Sequence, residues 1–87
     1  MLEITTDVTT YLGEWMRKVP APEGACVRLI LQKGGLELTV DEVRPGDTTF
    51  EHDGAVLLVV DVQVASLLQS KTLEIRDTGQ GPQLALR

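Results

Sequence analysis

Hydrophobic and polar residues follow two different periods along this chain. After a short alternating start at residues 2–4, apolar residues recur at steps of three, one, three, one and three between residues 8 and 19, as on the buried stripe of a surface helix. Residues 5–7 are Thr-Thr-Asp, which supply oxygens for a helix cap, and Pro20 lies just beyond the stripe, where it stops a helix. The pattern therefore predicts a short strand followed by a helix over Thr6–Val19.

The following residues alternate with a period of two, which is typical of strands. This period predicts strands over residues 25–33, 36–40, 48–52, 55–60, 72–76 and 83–86. Arg44-Pro45-Gly46-Asp47 has turn chemistry, Asp53-Gly54 predicts a hairpin, and residues 77–82 are predicted to form a loop. The run Ala55–Val60 has no polar face, which predicts a central strand.

A second, shorter helix is predicted near the carboxyl end. Asp61 is placed to cap residues 62–69, where Val64, Leu67 and Leu68 fall on one helical face. The resulting fold class is mostly β, of the α+β type. We expect one domain over residues 1–87, with two packed sheets, an N-terminal helix covering one side and a short helix closing an end.

Composition narrows the classes of partner. Thirteen acidic against eight basic residues give a net charge of -5, which repels nucleic acid and anionic membranes. The first residues carry acids rather than the lysines or arginines of a signal peptide, and no apolar stretch approaches membrane-spanning length. We therefore expect a cytoplasmic protein whose partners are proteins. The single cysteine agrees with a reducing compartment.

Histidine and serine give little support for catalysis. His52 is the single histidine, and it stands between Glu51 and Asp53 at the predicted hairpin, where neighbouring side chains point to opposite faces and do not converge on a metal ion. Ser66 and Ser70 are the two serines, and neither lies in a strand-turn-helix elbow. We expect no enzyme activity and no small-molecule substrate.

Other polar groups are predicted to be structural. Gly79-Gln80-Gly81 lacks the lysine and following helix of a phosphate loop, and Gly34-Gly35 is interpreted as a bend between strands. The acids at positions 41, 42, 47, 51 and 53 lack calcium-loop spacing, and we expect them on a solvated face.

Cys26 is the remaining candidate for chemistry. It shares a strand face with Arg28, and a neighbouring cation can lower a thiol pKa and produce a reactive thiolate. The competing interpretation is a small apolar residue in a strand, which we favour. An iron or zinc site takes up to four ligands, whereas one chain supplies a single thiol. We therefore predict no metal ligand and no cofactor, with Cys26 kept as the one candidate.

The order of these motifs resembles that of the HesB-like family, the A-type iron-sulfur cluster carriers. The family's strand leading into a glycine-rich bend is similar to residues 27–35, and its "gD-x-x-F-e-x-d-G" stretch is similar to residues 46–54. The resemblance covers nearly the whole chain and rests on the order and spacing of individually weak motifs. It implies a role connected with iron-sulfur cluster biosynthesis.

The resemblance also implies cysteines that this sequence does not show. The family places one just after the glycine bend, where this chain has Leu36-Glu37, and a Cys-Gly-Cys pair beyond the position where the chain stops at Arg87. Cys26 matches none of these positions. We therefore expect a degenerate HesB-like protein that has lost cluster binding.

Two functions remain open at this point. The first is a module that holds no cluster and binds other proteins, with iron-sulfur assembly proteins as the candidate partners. The alternative is iron or a cluster bound between two chains through their Cys26 thiols. Because both faces of Ala55–Val60 are apolar, we also expect a homodimer or a protein partner to cover part of that strand.

Overall fold

A computed structural model describes residues 1–33 and 35–87. Gly34, half of the predicted bend, lies outside the described residues. The strands and helices of the described ranges, in chain order, are β1 (Glu3–Ile4), α1 (Thr6–Lys18), β2 (Cys26–Gln32), β3 (Gly35–Asp41), β4 (Thr48–His52), β5 (Ala55–Val60), α2 (Val62–Leu67), β6 (Thr72–Thr78) and β7 (Gly81–Leu86).

The strands form two sheets. One sheet has the order β1-β6-β7, and the other has the order β3-β2-β5-β4. Within the larger sheet β2 and β5 run parallel, while β3 and β4 pair antiparallel to them at the two edges. The predicted mostly β fold with two sheets, an N-terminal helix and one short helix is confirmed, and β5 is an inner strand as predicted.

Helix α1 covers the core as the apolar stripe predicts. Val8 and Leu12 are fully buried, while Tyr11, Trp15 and Met16 pack partly buried against the core. The helix ends at Lys18, one residue earlier than predicted, because Val19 already has extended backbone ahead of Pro20. None of the helices in the described residues is long and apolar enough to cross a membrane.

The core lies between the sheets and α1. Its fully buried members come from both sheets, α1 and the segments beside them: Leu2, Val8, Leu12, Val27, Leu29, Leu58, Val60, Leu68 and Leu73. Val27 and Leu29 alternate with Cys26 and Arg28, so that the latter two point to the opposite face of the larger sheet. The core therefore packs on one face of the larger sheet. The second face of that sheet, which carries Cys26 and Arg28, points away from the core.

The β4–β5 hairpin closes through Asp53-Gly54, as predicted. His52 pairs with Ala55, and Asp53 and Gly54 have φ of 53° and 80°, the left-handed backbone that a tight two-residue hairpin requires. A register shift between Phe50 and Glu51 marks a bulge in β4.

The predicted loop over residues 77–82 is wrong. Strands β6 and β7 extend into it, with Asp77 paired to Pro82 and Thr78 paired to Gly81. The Thr78 hydroxyl donates to the Gly81 carbonyl at 3.0 Å and accepts from the Gln80 N–H at 3.2 Å, which closes the turn. Pro82 is tolerated because β7 is an edge strand, where one missing donor costs no inner pairing.

The predicted burial of Leu67 in the second helix is also wrong. Asp61 caps α2 by accepting from the Val64 N–H at 2.8 Å, as expected, but the helix ends at Leu67 rather than Gln69. Leu68 leaves helical geometry and is buried, whereas Leu67 is 67% exposed. Because the helix has six residues and ends at Leu67, the helical spacing that would place Leu67 and Leu68 on one face does not continue.

The N-cap of α1 leaves one group unsatisfied. Thr5 is the cap residue, yet its side chain makes no cap hydrogen bond, and among the described residues its buried hydroxyl has no partner. A buried hydroxyl without a partner costs roughly 1 to 3 kcal/mol. We therefore expect Thr5→Val, which keeps the branched shape, to raise the free energy of unfolding by about 1 kcal/mol in urea denaturation.

Thr9→Val is the matched control for that substitution. The Thr9 hydroxyl donates to the Thr6 carbonyl at 2.7 Å on the exposed side of the helix, so its removal should give no gain. A Thr5→Val protein less stable than the wild type would contradict the assignment of an unsatisfied hydroxyl.

Candidate functional site

The second face of the larger sheet carries a buried ion network centred on Arg28. The guanidinium donates through Nε to Asp41 Oδ2 at 2.7 Å, and through Nη1 and Nη2 to the two carboxylate oxygens of Asp47 at 3.0 and 2.7 Å. Nη2 also donates to the Glu42 carbonyl at 3.1 Å. The Arg28–Asp47 pair is the bidentate geometry that fixes orientation as well as charge.

Local sequence brings both acids to Arg28. Asp41 is the last residue of β3 and pairs with Cys26, which puts its side chain on the same sheet face as Arg28. The Arg44–Asp47 turn forms as predicted, with the Asp47 N–H donating to the Arg44 carbonyl at 3.1 Å and Gly46 at φ 87°. Asp47 also accepts from the Arg44 N–H at 2.8 Å, so the turn holds the carboxylate that Arg28 binds.

We call residues 42–47 the strap. It joins β3 to β4, which are the opposite edges of the larger sheet, so it has to pass over β2 and β5. Its hydrogen bonds to Arg28 show on which face it passes. Val59 of β5, paired with Arg28, is fully buried there although it is not part of the core. The strap therefore covers the second face from within the chain.

This cover accounts for the second half of Ala55–Val60, whereas Ala55 is exposed and Val56 and Leu57 are half-buried. Leu58, Val59 and Val60 alternate between the two faces of β5, and all three are fully buried. The pattern of apolar residues did not predict this cover, because the strap has a single aliphatic residue, Val43, which is itself 49% exposed. A partner contact over the first half of β5 therefore stays a prediction.

Cys26 lies beneath the same network. The residue is 2% exposed, and its Sγ donates to the Asp41 carbonyl at 3.4 Å. Burial raises the pKa of the thiol, and the charge of Arg28, which lowers it, is opposed by the acids at positions 41, 42 and 47. The thiol is therefore held protonated and shielded, as expected of a buried apolar residue rather than a nucleophile.

The network shifts its own pKa values in the stabilising direction. The pKa of Asp41 lies below its ordinary value, first because its carboxylate accepts from the Glu42 N–H and then because it accepts from Arg28. The pKa of Asp47 is lowered chiefly by the hydrogen bonds from Arg28. These same bonds with Asp47 raise the pKa of Arg28 despite its burial. All three side chains therefore stay charged near neutral pH.

The acids predicted to form a solvated face divide into two groups. The Asp47 side chain is 3% exposed and that of Asp41 is 17% exposed, which corrects the prediction for these two. Glu51 and Asp53 are exposed, as expected. The sequence did contain one signal for the buried ion network: an arginine within an apolar strand, because a buried charge needs a partner. The sequence alone does not say which acids pair with that arginine.

The remaining candidate residues do not gather into a site. His52 is exposed, with Nε2 at 3.4 Å from Asp53 Oδ2. Ser66 lies on α2 and Ser70 follows it, far in sequence from any histidine partner. Within residues 1–33 and 35–87, no three histidine, cysteine or acidic side chains are placed to share a metal ion.

A groove of about 560 Å³ lies between α1 and the edge strands β3 and β7. It contains the segment just after the glycine bend, where the family resemblance implies a cysteine. The described lining residues are Tyr11, Trp15, Gly35, Leu36, Glu37, Leu38, Pro82, Gln83 and Leu84. Among these lining residues, Glu37 and the Tyr11 phenol are the two with an ionisable side chain that could bind a metal. These residues do not fit an iron-sulfur cluster, which is held by thiolates.

Two solved structures share the fold. Escherichia coli SufA, involved in biosynthesis of iron-sulfur clusters, matches with a TM-score of 0.75 and 27% identity over 99% of this chain and 83% of SufA. IscA, in a crystal structure with a 2Fe-2S cluster, matches with a TM-score of 0.66 and 15% identity over 100% of this chain and 84% of IscA. No protein-family model and no curated protein matches the sequence.

The class of protein follows from these findings. The chain has the HesB-like fold of the A-type iron-sulfur cluster carriers, as the order of its motifs implies. In this chain the single cysteine is buried, with its Sγ donating to the Asp41 carbonyl.

The network should dominate the stability of the fold. Arg28→Met removes the buried cation that the two carboxylates share, leaving Asp41 with the exposed Arg44 guanidinium at 3.1 Å and Asp47 with the Arg44 N–H. Breaking a buried pair in this way costs roughly 3 to 5 kcal/mol. We expect the free energy of unfolding at neutral pH to fall by about 3 kcal/mol in urea denaturation. Arg76→Met, at an exposed pair with Glu74, should change it by less than about 1 kcal/mol.

Acid should reduce the difference in free energy of unfolding between the wild type and Arg28→Met. The folded pKa values of Asp41 and Asp47 are depressed, so their stabilisation is present above the unfolded pKa of about 4 and is lost as the pH falls through the lower folded values. If the difference in free energy of unfolding between the wild type and Arg28→Met were the same at acid and neutral pH, Arg28 would act through packing alone.

Proposed function

We propose that this protein acts in iron-sulfur cluster biosynthesis as a protein-interaction module that does not hold a cluster itself. The likeness to SufA and IscA supports the biosynthetic setting. The single observation that carries the loss of cluster binding is the state of Cys26. It is the one cysteine of the sequence, and its thiol is buried, protonated and hydrogen-bonded to the Asp41 carbonyl.

The alternative, iron or a cluster held between two chains by Cys26, meets a structural obstacle. Two thiols meet across a two-fold axis only if each reaches the surface. Here Cys26 is 2% exposed and its Sγ donates to the Asp41 carbonyl at 3.4 Å, so the residues around it have to move first. The closed structure therefore favours the module over the metal-bridged dimer.

The proposed role is non-enzymatic and cytoplasmic. Its partners are proteins, because the chain is acidic with a net charge of -5 and so repels nucleic acid and anionic lipid. A free, unpaired thiol at Cys26 fits a reducing compartment.

Anaerobic reconstitution with iron and sulfide tests this proposal. We expect a colourless protein with far less than one iron per chain, because one buried thiol underfills a cluster site. Iron analysis and the visible absorption spectrum are the measurements. Cys26→Ala is the matched control and should give the same low iron content.

A stoichiometric iron content with a sulfide-to-iron absorption band would contradict the proposal. If Cys26→Ala then abolished that iron, the bridged dimer would be the correct function. If the variant kept it, the ligands would lie elsewhere in the chain.

A further inference from the structure

The four edges of the two sheets differ in how open they are to a further strand. β1 has two residues, β4 carries a bulge between Phe50 and Glu51, and β7 contains Pro82, which lacks an N–H. Short strands, bulges and prolines are features that keep a sheet edge from pairing with another chain. β3 has none of these, because its seven residues pair with β2 in one unbroken register from Gly35 to Asp41.

The outer backbone of β3 has hydrogen-bonding groups to spare. Among the described residues, positions 35–40 make no backbone hydrogen bond outside their pairing with β2. An edge strand directs part of its N–H and C=O groups away from the neighbour with which it is paired. β3 therefore presents a row of donors and acceptors to an extended segment, which is the basis of recognition by strand addition.

The groove of about 560 Å³ beside this edge provides contacts for side chains. Tyr11 and Trp15 of α1, Leu36 and Leu38 of β3, and Leu84 of β7 are half-buried around it. Because side chains alternate between the two faces of a strand, a segment added to β3 turns every second side chain toward these apolar residues. The segment that fits is therefore extended, with apolar residues at alternate positions.

The charges of β3 favour a basic segment. Glu37 and Asp41 are the charged residues of this strand, which contains no cation. Asp41 binds Arg28, whereas Glu37 is exposed and makes no ion pair within the part of the chain that the structure describes. Opposite charges that face each other across two strands stabilise the pairing, and like charges destabilise it. A lysine or arginine opposite Glu37 is therefore favoured.

The same charges disfavour a second copy of this chain on β3. Two β3 strands paired antiparallel bring the acids of both copies together without a cation between them, and each copy carries a net charge of -5. A basic segment of another protein is instead attracted by that net charge.

We propose that β3 and the groove beside it bind an extended basic segment of a partner protein, which pairs with β3 as an added strand. Apolar side chains at alternate positions of the segment lie in the groove, and the lysines or arginines between them lie on the side of Glu37. The inference rests on the proposed interaction role and names its surface and the chemistry of its partner.

Titration with a synthetic peptide tests this surface. The probe is acetylated and amidated Val-Lys-Val-Lys-Val-Lys-Val, and the fluorescence of Trp15, the single tryptophan, reports occupation of the groove. We expect saturable binding with a dissociation constant on the order of 100 μM. The peptide Val-Val-Val-Val-Lys-Lys-Lys has the same charge without the alternation, and it should bind roughly fivefold more weakly or not at all.

Charge reversal at Glu37 tests where the segment lies. Glu37→Lys should weaken binding of the alternating peptide by roughly fivefold or more, and it should increase the affinity for Val-Glu-Val-Glu-Val-Glu-Val. Glu51→Lys is the matched control, because Glu51 is an exposed acid on β4, at the opposite edge of the larger sheet. It changes the net charge equally and should leave both affinities nearly unchanged. Circular dichroism should show both variants folded.

Amide hydrogen exchange tests whether the peptide adds as a strand. Bound peptide should slow exchange within residues 35–41 and leave β4 unaffected, because new backbone hydrogen bonds form at the β3 edge.

The inference is overturned if Trp15 fluorescence shows no saturable change up to millimolar peptide, or if Glu37→Lys and Glu51→Lys weaken binding equally. It is also overturned if exchange in β3 stays unchanged, or if β3 becomes protected with rising protein concentration in the absence of peptide, which would assign this edge to a second copy. Low iron without peptide binding would leave the proposed function standing with a different surface. Stoichiometric iron after reconstitution would remove the proposed function whatever the peptide result.

Discussion

The buried guanidinium of Arg28 is the constraint on which the second face of the larger sheet depends. A charge in that position is stable only when paired and hydrogen-bonded. Asp41 and Asp47 meet this requirement, and Asp47 brings the strap with it. The strap in turn passes over the face where Val59, paired with Arg28, is fully buried outside the main core cluster. The Arg28 network thus closes the second face of the larger sheet, over the apolar strands β2 and β5. In this way a small domain covers apolar sheet area with its own chain.

The same network shapes what the fold can do. On a scaffold shared with SufA and IscA, the single thiol of this sequence is placed inside, hydrogen-bonded and kept protonated by burial. The groove beside the glycine bend is lined largely by apolar and neutral polar residues. Val62 and Leu67 of α2 are exposed at the surface.

Sequence periodicity predicted the helices and strands well where a local interaction determines the structure. The α1 stripe, the Asp53-Gly54 hairpin and the Asp61 cap all depend on neighbours within a few residues. Long-range pairing decided the features that the sequence did not predict. The acids that bind Arg28 lie 13 and 19 residues away, and β6 and β7 extend through a turn-rich segment because each pairs with the other. Patterns along a chain do not specify which distant partner a buried charge finds.

The reactivity of Cys26 tests the central claim most directly. In the native protein, a small disulfide reagent that releases a coloured thiolate should react at least about a hundredfold more slowly than with the unfolded chain, because Cys26 is 2% exposed and reaction requires local opening. Arg28→Met should speed the native reaction by roughly tenfold or more, while Arg76→Met, at an exposed pair, should not. A native wild-type thiol that reacts as fast as the unfolded chain would contradict the account, because Cys26 would then not be shielded by the Arg28 network.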